Sequence, residues 1–391
     1  MPGPLEGIKV LDLSSVVLGP LASQILGDLG ADVIKIEAPE GDTTRYTGPR
    51  RSKDMAALFM GLNRNKRSIV LDLKKPAAQE ALWRLVGTAD VFMHSIRPQK
   101  IAKLGFGHED VLVRNGRIVY AGIHGYRSDG PYAGNPAYDD VIQGQSGSVD
   151  LMNRLVGEPR YMPTVMADKT CGLVSAYSIM AALVERERSG SGQFVEIPMY
   201  ETMVAYNLTE HIYGHAFDPP EDEMGYTRVL TPSRRPYKTS DGYICVLVYT
   251  DPQWKSFWQE AGRPEFVDDP RFISLGSRSD NIEELYRLAG EYFAQRTTAE
   301  WMPVLDRLEI PYAPIATLED LLEDQHLSDI EFFKKAEHPT EGNIVMPDIP
   351  VQFSRTPAKI DRLQPNFGEH GREILREAGL NEDEIDSALV R

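Results

Sequence analysis

The 391-residue chain carries 58 acidic against 42 basic residues, a formal net charge of −16, with 42% hydrophobic and 26% charged residues. That balance argues against a nucleic-acid partner, which needs basic surface, and no stretch approaches 18 uninterrupted apolar residues, so no membrane span or membrane partner is expected. The length calls for two domains or three. Two cysteines, Cys171 and Cys245, can form neither a disulfide framework nor a four-cysteine zinc site. The opening "MPGPLEGIKVLDL" has no basic n-region and no apolar h-region, so a reducing, cytoplasmic setting is expected.

Residues 8–13, "IKVLDL", read as a short apolar strand, and "SSVVLGP" leads into an apolar-periodic helix, "LASQILGDLG". "ADVIKIEAP" follows as a second strand ending on Glu37, which completes a parallel βαβ unit. A terminal acid there invites a dinucleotide reading, with Glu37 on a ribose. The first turn lacks G-x-G-x-x-G, so the architecture is taken as Rossmann-like and NAD is not expected. "SIVLDL" (68–73), a helix near 76–87, "DVFMHS" (90–95) and "RIVYAGI" (117–123) extend a mostly parallel, doubly wound sheet. Ligands of such sheets sit at the carboxyl ends of the strands. Basic residues gather in "RNKRS" (64–68), "KK" (74–75) and "RPQKIAK" (97–103). With Lys74 after "VLDL", and Arg97 and Lys103 after "VFMHS", a phosphate-bearing ligand in a local basic pocket is expected.

The segment "MPTVMADKTCGLVSAYSIMAALVERERSGSG" (162–192) predicts a long helix whose apolar face is Leu173, Ala176, Tyr177, Met180, Leu183 and Val184. Asp168 stands just ahead of that run, where a carboxylate caps a helix, and Gly172 leaves room for a ligand to approach the backbone. These residues alone leave two readings open, a cap and a reactive carboxylate. "GQFVEIPMYETMVAYNLTEHIYG" adds a strand and a long helix, and 219–236 is polar and proline-bearing, a linker. Beyond it lie a hairpin turning at Ser240-Asp241-Gly242, a helix "DPQWKSFWQEAG", and helical stretches near 281–295 and 298–308, a smaller α+β unit. The tail from about 326 predicts short strands and a final helix around 368–378.

Six segments, in order and spacing, resemble the family III CoA transferases, the CaiB/BaiF family. They are "LEGIKVLDLSSVVLGPLASQILGDLGADVIKIEAPEGDTTR", "LNRNKRSIVLDLK", "SIRPQKIAKLGFG", "AYDDVIQGQSG", "ADKTCG" and "RSGSGQFVEIPMYETM". The resemblance spans essentially the whole chain. It implies an interlocked homodimer and a Rossmann-like large domain made of residues 1–218 and a returning tail, 326–391. Residues 219–325 would form the linker and small α+β domain, and the active site would lie between the large domain of one subunit and the small domain of the other.

The resemblance also implies the chemistry. Asp168 matches the nucleophile of the "A-D-x-x-x-G" motif, which moves CoA from an acyl-CoA to a free, small mono- or dicarboxylic acid through an aspartyl mixed anhydride and an aspartyl-CoA thioester. Coenzyme A enters as substrate, and no metal or NAD is required. Val17 and Ala38 match positions lining the CoA site. Leu71, Lys74, Ser95, Ile96, Arg97 and Lys103 match segments contacting the nucleotide end, and Tyr138 and Asp139 match residues beside the thioester. Two departures stand out. No glycine run occurs between 219 and 260, where the formyl-CoA transferase branch covers its intermediate with one. Tyr138 stands where the related 2-methylacyl-CoA racemases carry a histidine, and a phenol is a poor general base at neutral pH. The alternatives are that racemase activity, or a CoA-binding protein without catalysis. Arg234 and Arg235, near the start of the small domain, are candidates to attract a second carboxylate.

Overall fold

Strands buried on both faces read as continuous apolar runs rather than as an alternating pattern, and that is how the central sheet is written into this chain. In the computed structural model, which describes residues 2–389, the strands are β1 (Lys9–Leu13), β2 (Asp32–Glu37), β3 (Lys66–Val70), β4 (Val91–His94), β5 (Val119–His124) and β6 (Gln193–Pro198). They pair in the order β3-β2-β1-β4-β5-β6, every neighbour parallel. The order reverses between β1 and β4, the switch point at which ligand crevices open in such sheets. Alternate residues of β1 feed the two faces. Leu11 and Leu13 join Leu82, Phe92, Tyr120 and Ile374 on one side. Val10 joins Leu26, Val91, Val119 and Ile179 on the other. The expected α/β, doubly wound, Rossmann-like sheet is present.

The basic run 64–68 corrects an expectation. Arg64 pairs with Asp28 at 2.7 Å, Lys66 with Asp12 at 3.3 Å and Arg67 with Asp32 at 2.6 Å, and the three basic side chains are almost fully buried. Those charges are interior, each with its own counter-charge, and none is available to a phosphate. β3 also begins two residues earlier than the sequence suggests, because its first residues point charges rather than hydrocarbon into the interior.

The chain divides into two compact units, the first formed by Met1–Ser146, Tyr161–Tyr206 and Ser328–Arg391, the second by Gly147–Arg160 and Asn207–Leu327. The stretch 1–218 is therefore split. The helix Ser148–Val156 belongs to the second unit, where Arg154 Nη1 donates to the Met224 carbonyl at 2.9 Å and Asn207 Nδ2 to Ser148 Oγ at 2.9 Å. In the first unit the tail returns along β3. The His370 N–H donates to the Ser68 carbonyl (2.9 Å) and the Asn65 N–H to the Arg362 carbonyl (2.9 Å). The tail carries the hairpin β10 (Phe333–His338) and β11 (Gly342–Pro347). Its helix Gly371–Glu377 is not the last one, because Glu382–Ala388 follows, opened by a capping box of Asn381 and Glu384.

The second unit carries a three-stranded antiparallel sheet, β7 (Tyr237–Lys238), β8 (Tyr243–Val246) and β9 (Tyr312–Pro314), in that order. The hairpin turn closes with the Thr239 N–H on the Gly242 carbonyl at 3.0 Å. Helices Asp251–Glu260, Ile282–Phe293 and Thr298–Arg307 enclose an aromatic core of Phe257, Trp258, Phe293 and Trp301. The stretch 219–236 is irregular apart from the short helix Thr227–Leu230. Among the described residues no helix is long and apolar enough to cross a membrane.

Candidate active site

Two adjoining clefts, which share Ser15, open at the carboxyl ends of the sheet in the first unit. One, of about 290 Å³, is lined by Val16 and Val17 after β1, Ser95 and Arg97 after β4, and Gly125 and Tyr126 after β5, with Tyr138 and Asp168. The other, of about 270 Å³, is lined by Ala38 to Asp42 after β2, Leu71 to Lys74 after β3, and Ile96. Of the expected positions, Val17, Ser95, Arg97, Tyr138 and Asp168 thus meet in the first cleft, and Ala38, Leu71, Lys74 and Ile96 in the second. Asp139 lines neither but touches Asp168. Lys103 lines neither cleft, and its side chain is exposed at the end of the helix Pro98–Lys103.

Asp168 is not the cap that the sequence suggests. The helix Met166–Ser189 begins two residues before it, the cap position is Val165, and no side chain caps there. Asp168 lies inside the first turn, where the helix dipole favours a negative charge. Its own N–H is taken by Asp139 Oδ1 at 3.0 Å, so the orphan donor is satisfied from another helix, Asp139–Gln145. Asp139 is in turn held by Gln143, whose Nε2 donates to Oδ2 at 2.6 Å, while Gln143 Oε1 accepts the Met162 N–H at 2.9 Å. No side chain or backbone group among the described residues donates to the Asp168 carboxylate. Burial, with the Asp139 charge beside it, pushes the Asp168 pKa up to about 7.

The neighbours of Asp168 on its helix are structural. Gly172 does not admit a ligand, since a Cβ there would lie 2.9 Å from the Leu18 carbonyl oxygen, and the residue exists to let two helices touch. Cys171 is fully buried, and burial together with the Asp168 and Asp139 charges raises its thiol to about 12, which removes it as a competing nucleophile. The expected apolar face is also misplaced. Ala176 and Leu183 are buried, but Leu173, Tyr177 and Val184 are more than half exposed, and the packed face runs through Cys171, Gly172, Ser175, Ile179 and Ala182, small residues apart from Ile179.

The remaining groups differ in kind. Lys74 and Arg97 reach the clefts without an acid partner among the described residues, unlike the cations of the 64–68 run. Tyr138 is 68% exposed at the mouth. His124 ends β5, but its ring folds over Gly122 with Nδ1 3.5 Å from Glu196 Oε1; both ring nitrogens are buried, and burial lowers its pKa. Sequence reasoning missed Ser15, Val16, Lys100 and the 39–42 turn as lining groups. The rule that ligands sit just past strand ends applies to Ser15, Val16 and 39–42 and would have found them. Among the described residues no group of three or more His, Cys, Asp or Glu side chains is placed to hold a metal ion.

The model of CoA-transferase family III matches residues 5–371 of this chain. The chain belongs to that family. It is 32% identical over 376 residues to a succinyl-CoA:glutarate CoA-transferase of Mus musculus, covering 96% of this chain and 86% of the relative. It is 33% identical over 405 residues to a formyl-CoA:oxalate CoA-transferase of Streptomyces avermitilis, covering 98% of each. A solved CaiB/BaiF family protein from Brucella suis superposes with a TM-score of 0.80 at 31% identity, covering 97% of this chain and 100% of that one. A family III member is a CoA transferase, and the α/β fold is shared with that solved relative.

Proposed function

We propose that this CoA transferase moves CoA from an acyl-CoA to a free small mono- or dicarboxylic acid with Asp168 as the covalent carrier. The observation that carries the reading is the Asp168 carboxyl itself, almost buried at a helix head and, among the described residues, without a donor, facing a cleft whose cations have no acid partner among those residues. Asp168 attacks the thioester carbonyl, the C–S bond breaks, and the thiolate leaves with a mixed anhydride behind it. The thiolate then attacks the Asp168 carbonyl, releasing the donor acid and leaving CoA on the enzyme as a thioester. The acceptor carboxylate reverses the two steps. Each step exchanges one activated acyl for another, so the chemistry needs no ATP, metal or NAD.

A carboxyl that ionises near 7 is more basic than an ordinary aspartate and is still substantially ionised at neutral pH, which suits a nucleophile. Lys74 and Arg97 fit the anionic end of CoA, and Val17, Ala38, Leu71, Ser95 and Ile96 its less polar parts, in a molecule lying across both clefts. Tyr138 and Asp139 flank the reacting carbonyl. The names of the relatives, which pair succinyl-CoA with glutarate and formyl-CoA with oxalate, agree with an acid acceptor. An interlocked homodimer is part of the proposal. Leu173, Tyr177 and Val184 make an exposed apolar stripe at helical spacing, and such a stripe on a helix asks for a covering partner.

Intact-mass measurement after acid quench tests the carrier. Enzyme mixed with acyl-CoA and no acceptor should gain CoA, mapped to Asp168, and Asp168→Ala should gain nothing while still binding CoA. An adduct on any other residue, or transfer by pure Asp168→Ala protein, refutes it.

A further inference from the structure

The loop 125–138, which contains neither helix nor strand, runs from the end of β5 to the helix Asp139–Gln145, whose first residue holds the Asp168 N–H. Its first residues, Gly125 and Tyr126, and its last, Gly134 to Tyr138, line the cleft of Asp168. A loop outside any ladder has to find other acceptors for its N–H groups. Two consecutive ones are taken by carboxylates. The Arg127 N–H donates to Glu201 Oε1 at 3.3 Å and the Ser128 N–H to Glu196 Oε1 at 2.9 Å. Glu196 lies on β6 and Glu201 on the helix that follows, Met199–His211. Neither acid pairs with a lysine or arginine among the described residues. The Arg127 guanidinium turns to Asp129 at 2.7 Å, and His124 Nδ1, 3.5 Å from Glu196, belongs to a ring that burial holds towards its neutral form. Glu201 Oε2 is buried with no hydrogen-bond partner among the described residues. A carboxylate oxygen left so is costly, and the bond that side chain does make is to the loop.

We propose that Glu196 and Glu201 are positioning residues of the transferase, whose carboxylates clamp the loop 125–138 by two adjacent N–H groups and so set the wall of the Asp168 cleft. The proposal rests on the reading of that cleft as the acyl-CoA site. Neither glutamate lines the cleft, so both act through the loop. Beyond the clamp the loop is held by an exposed contact, Gln99 Nε2 on the Gly134 carbonyl at 3.1 Å, and by its own turns, the Ala133 N–H on the Gly130 carbonyl at 3.1 Å and the Asn135 N–H on the Tyr132 carbonyl at 3.0 Å. A hydrogen bond to a carboxylate is roughly twice as strong as one between neutral groups, which makes the clamp the firmest of these holds. The loop ends on Tyr138 and leads straight into Asp139, so slack at 127–128 reaches the group that holds the Asp168 N–H.

Amide hydrogen exchange read by mass spectrometry, followed by steady-state kinetics, tests the clamp on the full chain. In Glu196→Ala protein the peptides covering 125–138 should exchange about tenfold faster or more, as for loss of a charge-assisted bond, while peptides covering β1 and β4 keep their wild-type rates. KM for the acyl-CoA should rise by about tenfold, with kcat within about threefold of wild type. Glu196→Gln keeps an oxygen for the Ser128 N–H and should recover both exchange and KM to within about threefold of wild type. Glu201→Ala should loosen the same peptides from a second element, which keeps the clamp testable should Glu196→Ala fail to fold. The proposal is overturned if the 125–138 peptides exchange at the wild-type rate in both alanine variants, if β1 and β4 loosen along with them, or if Glu196→Gln behaves as Glu196→Ala. It is overturned as well if the loop loosens while KM and kcat stay where they were. The exchange arm needs neither ligand nor turnover, so a failure of the aspartyl carrier is seen separately, in the mass experiment.

Discussion

Replacing Asp168 with Asn should abolish transfer and yet stabilise the fold, by an amount that grows with pH. The carboxyl ordinarily ionises at 3.8 and in the folded chain at about 7. Between those values the folded protein keeps a proton that the unfolded chain has released, so folding becomes less favourable as pH rises, and the full cost is reached above about 7. At about 1.4 kcal/mol per tenfold change in proton affinity, wild type carries a penalty of about 1.5 kcal/mol at pH 5 and about 4 kcal/mol at pH 8. Asn cannot ionise and carries none of it. It forgoes the favourable term of a negative charge in the first helical turn, roughly 0.3–1 kcal/mol, so a net gain of about 3 kcal/mol at pH 8 is expected. Urea unfolding of both proteins at one protein concentration, at pH 5, 6, 7 and 8, measures the difference directly. A difference that stays flat across that range, or an Asn variant weaker than wild type at pH 8, would refute the assignment of a burial-strained carboxylate.

The other expectations concern the same site and its supports. Asp139→Asn keeps an oxygen for the Asp168 N–H but removes the neighbouring charge, so the rise of transfer rate with pH should move to lower pH; an unmoved profile would mean that Asp139 does not set the ionisation. Lys74→Ala and Arg97→Ala should raise KM for the acyl-CoA more than they lower kcat, while Lys103→Ala, outside both clefts, should change KM less than either; equal effects would place the nucleotide elsewhere. Gly172→Ala must push its Cβ against the Leu18 carbonyl at 2.9 Å and should cost about 1–3 kcal/mol of stability in denaturant melts, as other overpacked contacts do.

What was legible in the sequence follows from which signals are local. Continuous apolar runs such as "IKVLDL" and "RIVYAGI" gave the strands, and their spacing with helices gave the parallel sheet. The hairpin at 239–242 was legible because a turn announces itself in three residues. Asp168 could be singled out because its motif is contiguous. Most of the failures are non-local. Reading 64–68 with the ligand-facing basic clusters ignored that Asp12 of β1, Asp28 at the end of the helix Leu18–Asp28 and Asp32 of β2 would come within ion-pair distance once the sheet forms. The cap was misassigned because Asp139, 29 residues away, supplies the acceptor that the helix start lacks. The helix face was misread because hydrophobicity marks what must be covered without saying by which molecule, and here small residues pack the chain's own neighbour while larger ones stay outside. The last helix, Glu382–Ala388, did carry a local signal, the "NEDE" capping box, which its acidic composition obscured.

The buried charges of the first unit make sense only when placed under the cleft. Val16 sits at φ 71°, a region that β-branched residues almost never occupy, in the turn that brings Ser15 and Val17 to the crevice. Its N–H is held by Asp42 Oδ1 at 3.2 Å, and Asp42 Oδ2 takes Lys35 Nζ at 2.9 Å. The same ammonium donates to the Ser14 carbonyl at 3.1 Å, so one cation grips both sides of the turn. Asp12, beneath it, accepts the Ser14 N–H at 2.9 Å and Ser23 Oγ at 2.5 Å, and pairs with Lys66. Buried ion pairs add little net stability over hydrocarbon of the same shape, and burial, with the Lys35 charge nearby, outweighs Asp12 and lowers the Lys66 pKa to about 8. Their effect is geometric. Four charges over-determine a strained turn that apolar packing would let relax, and the strained turn fixes a wall of the cleft that Asp168 also lines. The cations of the 64–68 run act one layer below, and the clefts are left with the few, such as Lys74 and Arg97, that no acid among the described residues neutralises.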